Sequence, residues 1–309
     1  MNPEYALNQS LPYLTGKLEE AGIAVQVGIN QTRGTMFLLL NGSVKCSIHE
    51  LISALIAAEP NAHHTIMEPW IPYLIERTRL GETVLNNPDE LRRRVHTEFV
   101  VADLATNPRY SYYRQYPGEL KLILSLADGN TRFQLSDEQL DQCPLSVDEL
   151  FYYGQMNTDD VAVDRVEQVG PLTSLTTRSV YISAKAANVP ALMSRFQVHA
   201  PHGLFLMAPM CHLLCYSPVD PAHILQQLMA VIHTIRYPMA AASRTPGMLL
   251  SRDIIYYSPE GTYETITQGD NPALEEFFTN PHIDAEALRT CIDQYLSPSP
   301  TFRARFALP

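Results

Sequence analysis

The stretch from Gly203 to Arg236 constrains the fold more than any other part of the chain. Two apolar runs, Gly203 to Ala208 and His212 to Tyr216, read as strands, and an amphipathic helix opens at Asp220-Pro221. Asp220 can cap the amides of the first turn, and Pro221 stands where a missing N–H is harmless. Ile224, Leu225, Leu228, Met229, Ile232 and Ile235 return to one face at each helical turn, and Arg236 lies in the last turn, where a cation suits the helix dipole. Such a helix must bury its stripe, and the two runs before it are the nearest cover. The pattern predicts strand, strand and helix packed in two layers.

The N-terminal part reads as a second unit of similar grammar. Pro3 to Glu20 predicts a helix ended by Gly22. Three strands follow, Ile23 to Ile29, Thr35 to Leu40 and Val44 to Ile48, the last two joined by Asn41-Gly42, whose residues accept the positive φ of a hairpin turn. Ser47 and Glu50 have the spacing of a capping box for a helix bearing Leu51, Ile52, Leu55 and Ile56. Another helix starts around Pro69 and Pro72. Gly81 to Pro88 is polar and predicts a loop and a domain boundary.

Beyond it, Asp89 to Phe99 reads as a charged helix. Leu120 to Leu126 alternates as a strand turned by Asp128-Gly129 into Phe133 and Leu135. Capping boxes at Ser136/Gln139 and Ser146/Glu149 start helical turns. The surroundings of Gly170-Pro171 read as a loop, Val180 to Ala184 as a strand, and Asn188 as the cap of a helix through Phe196. After the organising stretch, Met239 to Pro246 is irregular, Met248 to Leu250 and Ile254 to Tyr257 are short strands, and a turn at Ser258 to Gly261 leads into Thr262 to Ile266. Helices are expected over Pro272 to Phe278 and Asp284 to Leu296, then an extended or disordered tail. The sum is an α+β fold of antiparallel meanders covered by helices, with domains at 1–84 and 85–268 and terminal helices with a proline-rich tail at 269–309.

Charge and composition exclude several functions. A net charge of −11 argues against a dedicated nucleic-acid binder, which draws its affinity from clustered Lys and Arg. No apolar run approaches the roughly 18 residues that span a bilayer, so no membrane partner is expected. Met1 to Ser10 has neither a basic nor an apolar signal region, which predicts a cytoplasmic protein. The five cysteines are scattered and read as reduced thiols, mostly buried.

Three clusters invite a chemical reading. Cys211, His212 and Cys215 resemble half a zinc site, but on one strand residues four apart are separated by about 13 Å, so a shared metal would need a turn there. His63, His64 and Glu68 could meet at one helical turn, although nothing like H-E-x-x-H is present. Both sets are weak metal candidates, and no metal or cofactor is expected. Arg92, Arg93 and Arg94 with Arg109, Tyr112, Tyr113, Arg114 and Tyr116 form the one locally basic, aromatic region, the first place to look for a negatively charged partner. Phosphate-binding loops and the nucleophile elbow of serine hydrolases are absent.

Leu124 to Asn157, LSLADGNTRFQLSDEQLDQCPLSVDELFYYGQMN, resembles the strand, Asp-Gly hairpin, strand and helix start of the YtpQ-like proteins, a bacterial family. Lys17 to Gly22, Gly203 to Pro218 and Ser251 to Glu264 are similar to its further segments. The resemblance implies a cytosolic bacterial protein and carries over no activity and no site residue. The order of elements at the N-terminus is also similar to that of type III secretion chaperones, small acidic binding proteins. Acidity, open strand edges and the lack of a convergent polar constellation point to a non-enzymatic, adaptor-like or chaperone-like protein that binds another protein or itself. The alternative is a hydrolytic or metal-assisted enzyme built from scattered side chains.

Overall fold

The structure is a computed structural model that describes residues 3–30, 35–41, 44–101, 110–128, 131–243, 249–269, 271 and 294–308. It is an α+β fold with antiparallel sheets. Two compact units divide it: Met1–Arg92 with Leu126–Phe133 and Asp141–Ser146, and Arg93–Ser125 with Gln134–Leu140 and Val147–Pro309.

In the first unit, α1 (Pro3–Glu20) precedes a three-stranded meander of β1 (Val25–Asn30), β2 (Thr35–Leu40) and β3 (Val44–Ser47). Asn41 takes a positive φ of 48°, as the turn chemistry required. α2 (His49–Ala57) has its N-cap on Ile48 without a side-chain cap, one residue later than the predicted box. After α3 (His63–Met67), α4 (Trp70–Val84) begins at its prolines and runs through Gly81, into the stretch expected to be a loop. A Cβ on Gly81 would lie 2.5 Å from Val44 Cγ2, so glycine is what lets this last turn pass β3.

The helix expected over Asp89–Phe99 is helical only in its first half. α5 (Pro88–Arg94) gives way to β4 (Val95–Val100), where Val95, Thr97, Phe99 and Val100 suit a buried strand. β5 (Arg114–Gln115), β6 (Lys121–Asp128) and β7 (Thr131–Gln134) complete a four-stranded sheet with β4, in which β6 pairs with β4, β5 and β7. The Ser136 box forms as read, with the Ser136 N–H donating to Gln139 Oε1 at 2.8 Å ahead of α6 (Asp137–Leu140).

The second unit is organised by a six-stranded sheet. After α7 (Val147–Asp160) come β8 (Arg165–Val169) and β9 (Leu172–Thr176), a 3-10 segment (Ser183–Asn188), α8 (Val189–Arg195), β10 (Leu204–Met210), β11 (Leu213–Pro218), α9 (Ile224–Ser243), β12 (Ile255–Tyr257), β13 (Tyr263–Thr265) and α10 (Pro300–Arg305). The strand order is β13-β12-β10-β11-β9-β8. β10 and β11 are central and buried along nearly their whole length. Phe205, Met207 and Cys215 join Leu228, Val231, Ile232, Ile235 and Met239 of α9 in one core. The predicted strand–strand–helix unit is therefore present.

Its details differ from the expectation. Asp220 belongs to a turn, accepting from the Ala222 N–H at 3.0 Å, and α9 starts only at Ile224. The helix continues through Pro238 to Ser243, so Arg236 is buried inside it instead of closing it. Leu225 and Met229 are 47% and 44% exposed, because the buried face is centred on Leu228, Ile232 and Ile235. The Val180–Ala184 strand is instead an approach to the 3-10 segment, whose small buried Ser183, Ala184 and Ala186 allow a tight coil against the sheet. Of the strand expected over Met248–Leu250, Met248 lies outside the described residues and Leu249 forms an isolated bridge to Met210.

The tail is also ordered. Ser299 caps α10 by accepting from the Phe302 N–H at 3.1 Å, and Phe302 is buried against Tyr256, ring centres 5.0 Å apart. The two helices expected between Pro272 and Leu296 lie almost wholly outside the described residues. Phe302→Ala is predicted to lower the unfolding free energy by about 3–5 kcal/mol, the range for truncating a buried aromatic ring. Urea denaturation measures it; a loss below about 1 kcal/mol would show that the tail adds nothing to this core.

Candidate functional site

The cysteine and histidine of the organising stretch fall in a turn. Met210 pairs with Leu213, leaving Cys211 and His212 as the two-residue connection between β10 and β11. The turn is docked: His212 Nδ1 lies 3.2 Å from the Ser179 carbonyl oxygen, and the Cys211 and His212 carbonyls accept from the Ser183 and Thr177 amides. Cys215 is buried in β11 beside Ser174, Sγ to Oγ 3.3 Å, and burial pushes its thiol up to about 12. Such a thiol stays protonated and is a packing residue. No group of three or more potential metal ligands occurs among the described residues.

His63, His64 and Glu68 lie in the first unit and face two partners. His63 is buried, with Nδ1 2.9 Å from Ser10 Oγ. Tyr13 holds the other two, its hydroxyl donating to Glu68 and its ring standing edge-on to His64 at 4.1 Å. These contacts tie α1 to α3 and its C-cap residue, Glu68.

In the basic, aromatic region, Arg109 lies outside the described residues. Tyr112 and Tyr116 point inward. Tyr112 donates to the Leu135 carbonyl at 2.6 Å, Tyr116 to the Ala186 carbonyl at 2.7 Å, and burial raises both phenols. Neither ring is offered for stacking. Arg114 lies over Phe151 at 4.0 Å and pairs with Asp148 at 2.6 Å, Tyr113 carries Lys121 over its ring, and Arg92 pairs with Asp89. Arg93 is exposed and Arg94 half-buried.

A polar knot that sequence patterns did not single out closes the C-terminal end of α7. Lys185 is 1% exposed, and its ammonium donates to the carbonyls of Thr158 at 2.8 Å and Asp159 at 2.5 Å. Arg195 reaches the Asp159 carbonyl and the Asp160 carboxylate. The Asp159 carboxylate accepts from Gln155 at 2.8 Å and Asn188 at 2.6 Å, and burial still raises its pKa. Burial lowers the Lys185 amine to about 8. A depression of about 250 Å³ lies alongside, lined by Lys185, Asp159, Asp160 and Arg195 among others. Two cations on the last carbonyls of a helix are a capping arrangement.

The chain leaves this knot and becomes β8 five residues later. Asp164 closes the base of the β8–β9 hairpin, its N–H donating to the Thr176 carbonyl at 3.0 Å and its carboxylate accepting from the Arg178 amide at 2.9 Å. Gly170, at φ 58°, turns the hairpin. β8 ends the sheet and is uncovered on both faces: Val166 and Val169 are each 55% exposed. An edge strand leaves alternate N–H and C=O groups unpaired. The opposite edge, β13, is covered, since Ser299 donates to Glu264 and the Ser297 amide bonds to the Ile266 carbonyl beside it. The surroundings of Gly170-Pro171 are therefore a hairpin instead of the expected loop, and the buried residues of β9, Leu172 and Leu175, are three apart, which gives no strand alternation to read. The signal that could have found it is Gly170-Pro171 between two runs rich in Val and Thr.

No known protein family, curated protein or solved structure matches the chain. No described helix is long and apolar enough to cross a membrane.

The Lys185 environment predicts a specific pH dependence. Its folded pKa, about 8, lies below the ordinary value of 10.5, so the unfolded chain binds more protons between those values. Its contribution is unfavourable below pH 8, and stability rises as pH goes from 8 to 10.5. Urea unfolding of the wild type and Lys185→Met at pH 7.5 and 9.5 should therefore show a wild-type gain with pH that the variant lacks. Parallel pH profiles would contradict the buried ammonium.

Proposed function

We propose that the chain is a non-enzymatic protein-binding protein of the cytosol, adaptor-like or chaperone-like, whose partner adds a strand at the outer edge of β8. The observation that carries this reading is the contrast between the two ends of one sheet: β13 is covered by the tail, and β8 stands open with two valines in solvent. Proteins usually blunt such an edge, because its unpaired backbone recruits any extended segment. Edge pairing gives affinity through backbone hydrogen bonds and selectivity through alternate side chains. Arg165, Glu167 and the two valines supply those side chains. The net charge of −11 favours a polypeptide partner over nucleic acid.

Val166→Lys tests the reading, since a lysine on an edge strand is a common block to pairing and the site is exposed enough to accept it. A defined protein partner, identified by mass spectrometry, should be retained by the wild type and lost by Val166→Lys, with both chains equally stable to urea. A partner held equally by both would place binding elsewhere on the molecule.

A further inference from the structure

We propose that β8 pairs with β8 of a second copy of this chain, antiparallel and centred on Val166; this rests on the reading of β8 as the binding edge. The segment Val163-Asp164-Arg165-Val166-Glu167-Gln168-Val169 is complementary to itself when run against its own reverse. With a two-fold axis through Val166 and normal to the sheet, Arg165 of each copy faces Glu167 of the other, twice. Val166 faces Val166, Asp164 faces Gln168, and Val163 faces Val169. Directly opposed residues in an antiparallel pair share a face of the sheet, so each match is between side chains that can touch.

Neighbouring registers lack this complementarity. Centring the pair on Glu167 sets two carboxylates opposite each other, and centring it on Arg165 sets two guanidinium groups opposite; like charges in that position are destabilising. Arg165 and Glu167 already form an ion pair within β8, so the second copy would extend an existing alternation of charge across the junction. Each chain carries −11 overall. Two copies therefore repel at long range, and association requires a contact where opposite charges meet, which this register supplies. The interface is isologous, closing as a dimer. Seven residues span only about 23 Å at ~3.3 Å each, so the contact is at the small end of specific interfaces and the dimer is weak and concentration-dependent.

Sedimentation velocity over a concentration series, using the full chain, tests the proposal. The wild type should shift from monomer to dimer on concentrating. Arg165→Glu and Glu167→Arg, each alone, should weaken the dimer at least about tenfold, because each creates two opposed like-charge pairs. An equimolar mixture of these two variants should recover a dimer, and the double variant carrying both changes should match the wild type within about threefold. Val166→Lys, which opposes two lysines at the axis, should be monomeric throughout. Urea unfolding of each variant separates lost pairing from lost folding, and the mixture gives a positive signal that misfolded chains would not produce. A wild type that stays monomeric at its highest attainable concentration overturns self-pairing. If that monomer still loses a foreign partner on Val166→Lys, β8 remains a binding edge for another protein. A dimer insensitive to both charge reversals also overturns the proposal, since it would use another surface.

Discussion

The second unit depends on how the last turn of α7 is closed. A helix end leaves carbonyls without partners, and burying them unpaired is costly. Lys185 and Arg195 satisfy those of Thr158, Asp159 and Asp160 from the 3-10 segment and from α8. The same turn is stitched to β4, with Thr158 Oγ1 accepting from the Thr97 amide at 3.0 Å and donating to the Thr97 carbonyl. Gly154 allows the approach: a Cβ there would lie 3.2 Å from the His96 carbonyl carbon. One lysine ammonium thus joins helix and 3-10 segment at a point that β4 also reaches, and the chain departs toward β8 from that fixed point.

This explains how an exposed hairpin can be well defined. β8 has little burial of its own, and a hairpin without a supporting hydrophobic face is marginal. Here it is held at its base by Asp164 and along one side by β9, whose Leu172 and Leu175 are buried. On the far side of the sheet the tail helix, anchored by Phe302, covers the approach to β13. The sheet is asymmetric by construction, with the β13 end closed by its own chain and the β8 end exposed. The helix α9 adds a second uncovered feature, Leu225, Met229 and Tyr237 on its outer face, whose occupant nothing in the structure specifies.

The parts legible in sequence were those with strong period or strong punctuation. The apolar runs of β10 and β11, the Asn41 turn, the Ser136 box and the Asn188 cap are local signals, and the structure has them where the residues put them. What failed was decided by tertiary contact. Val95–Val100 follows a charged helix and reads as its continuation, yet its burial on α7 makes it a strand. Leu225 and Met229 match the helical stripe but fall outside it, because the sheet covers only part of the circumference. The exposed edge strand β8 was missed for a related reason: a strand exposed on both faces has no hydrophobic alternation to read. The lysine knot was invisible because a capping lysine far along the chain leaves no local pattern. Cys211 and His212 drew attention by composition, and the turn that would bring ligands together is present without a third ligand among the described residues.

The most direct test of the central claim, that β8 pairs with β8 of a second copy, is hydrogen exchange of its backbone amides in dilute and concentrated protein. The alternate amides of Arg165–Val169 that face away from β9 should exchange freely when dilute and gain protection on concentrating, while those of β13 do not change. Protection that is concentration-independent at β8, or that grows only at another surface such as the outer face of α9, would contradict it.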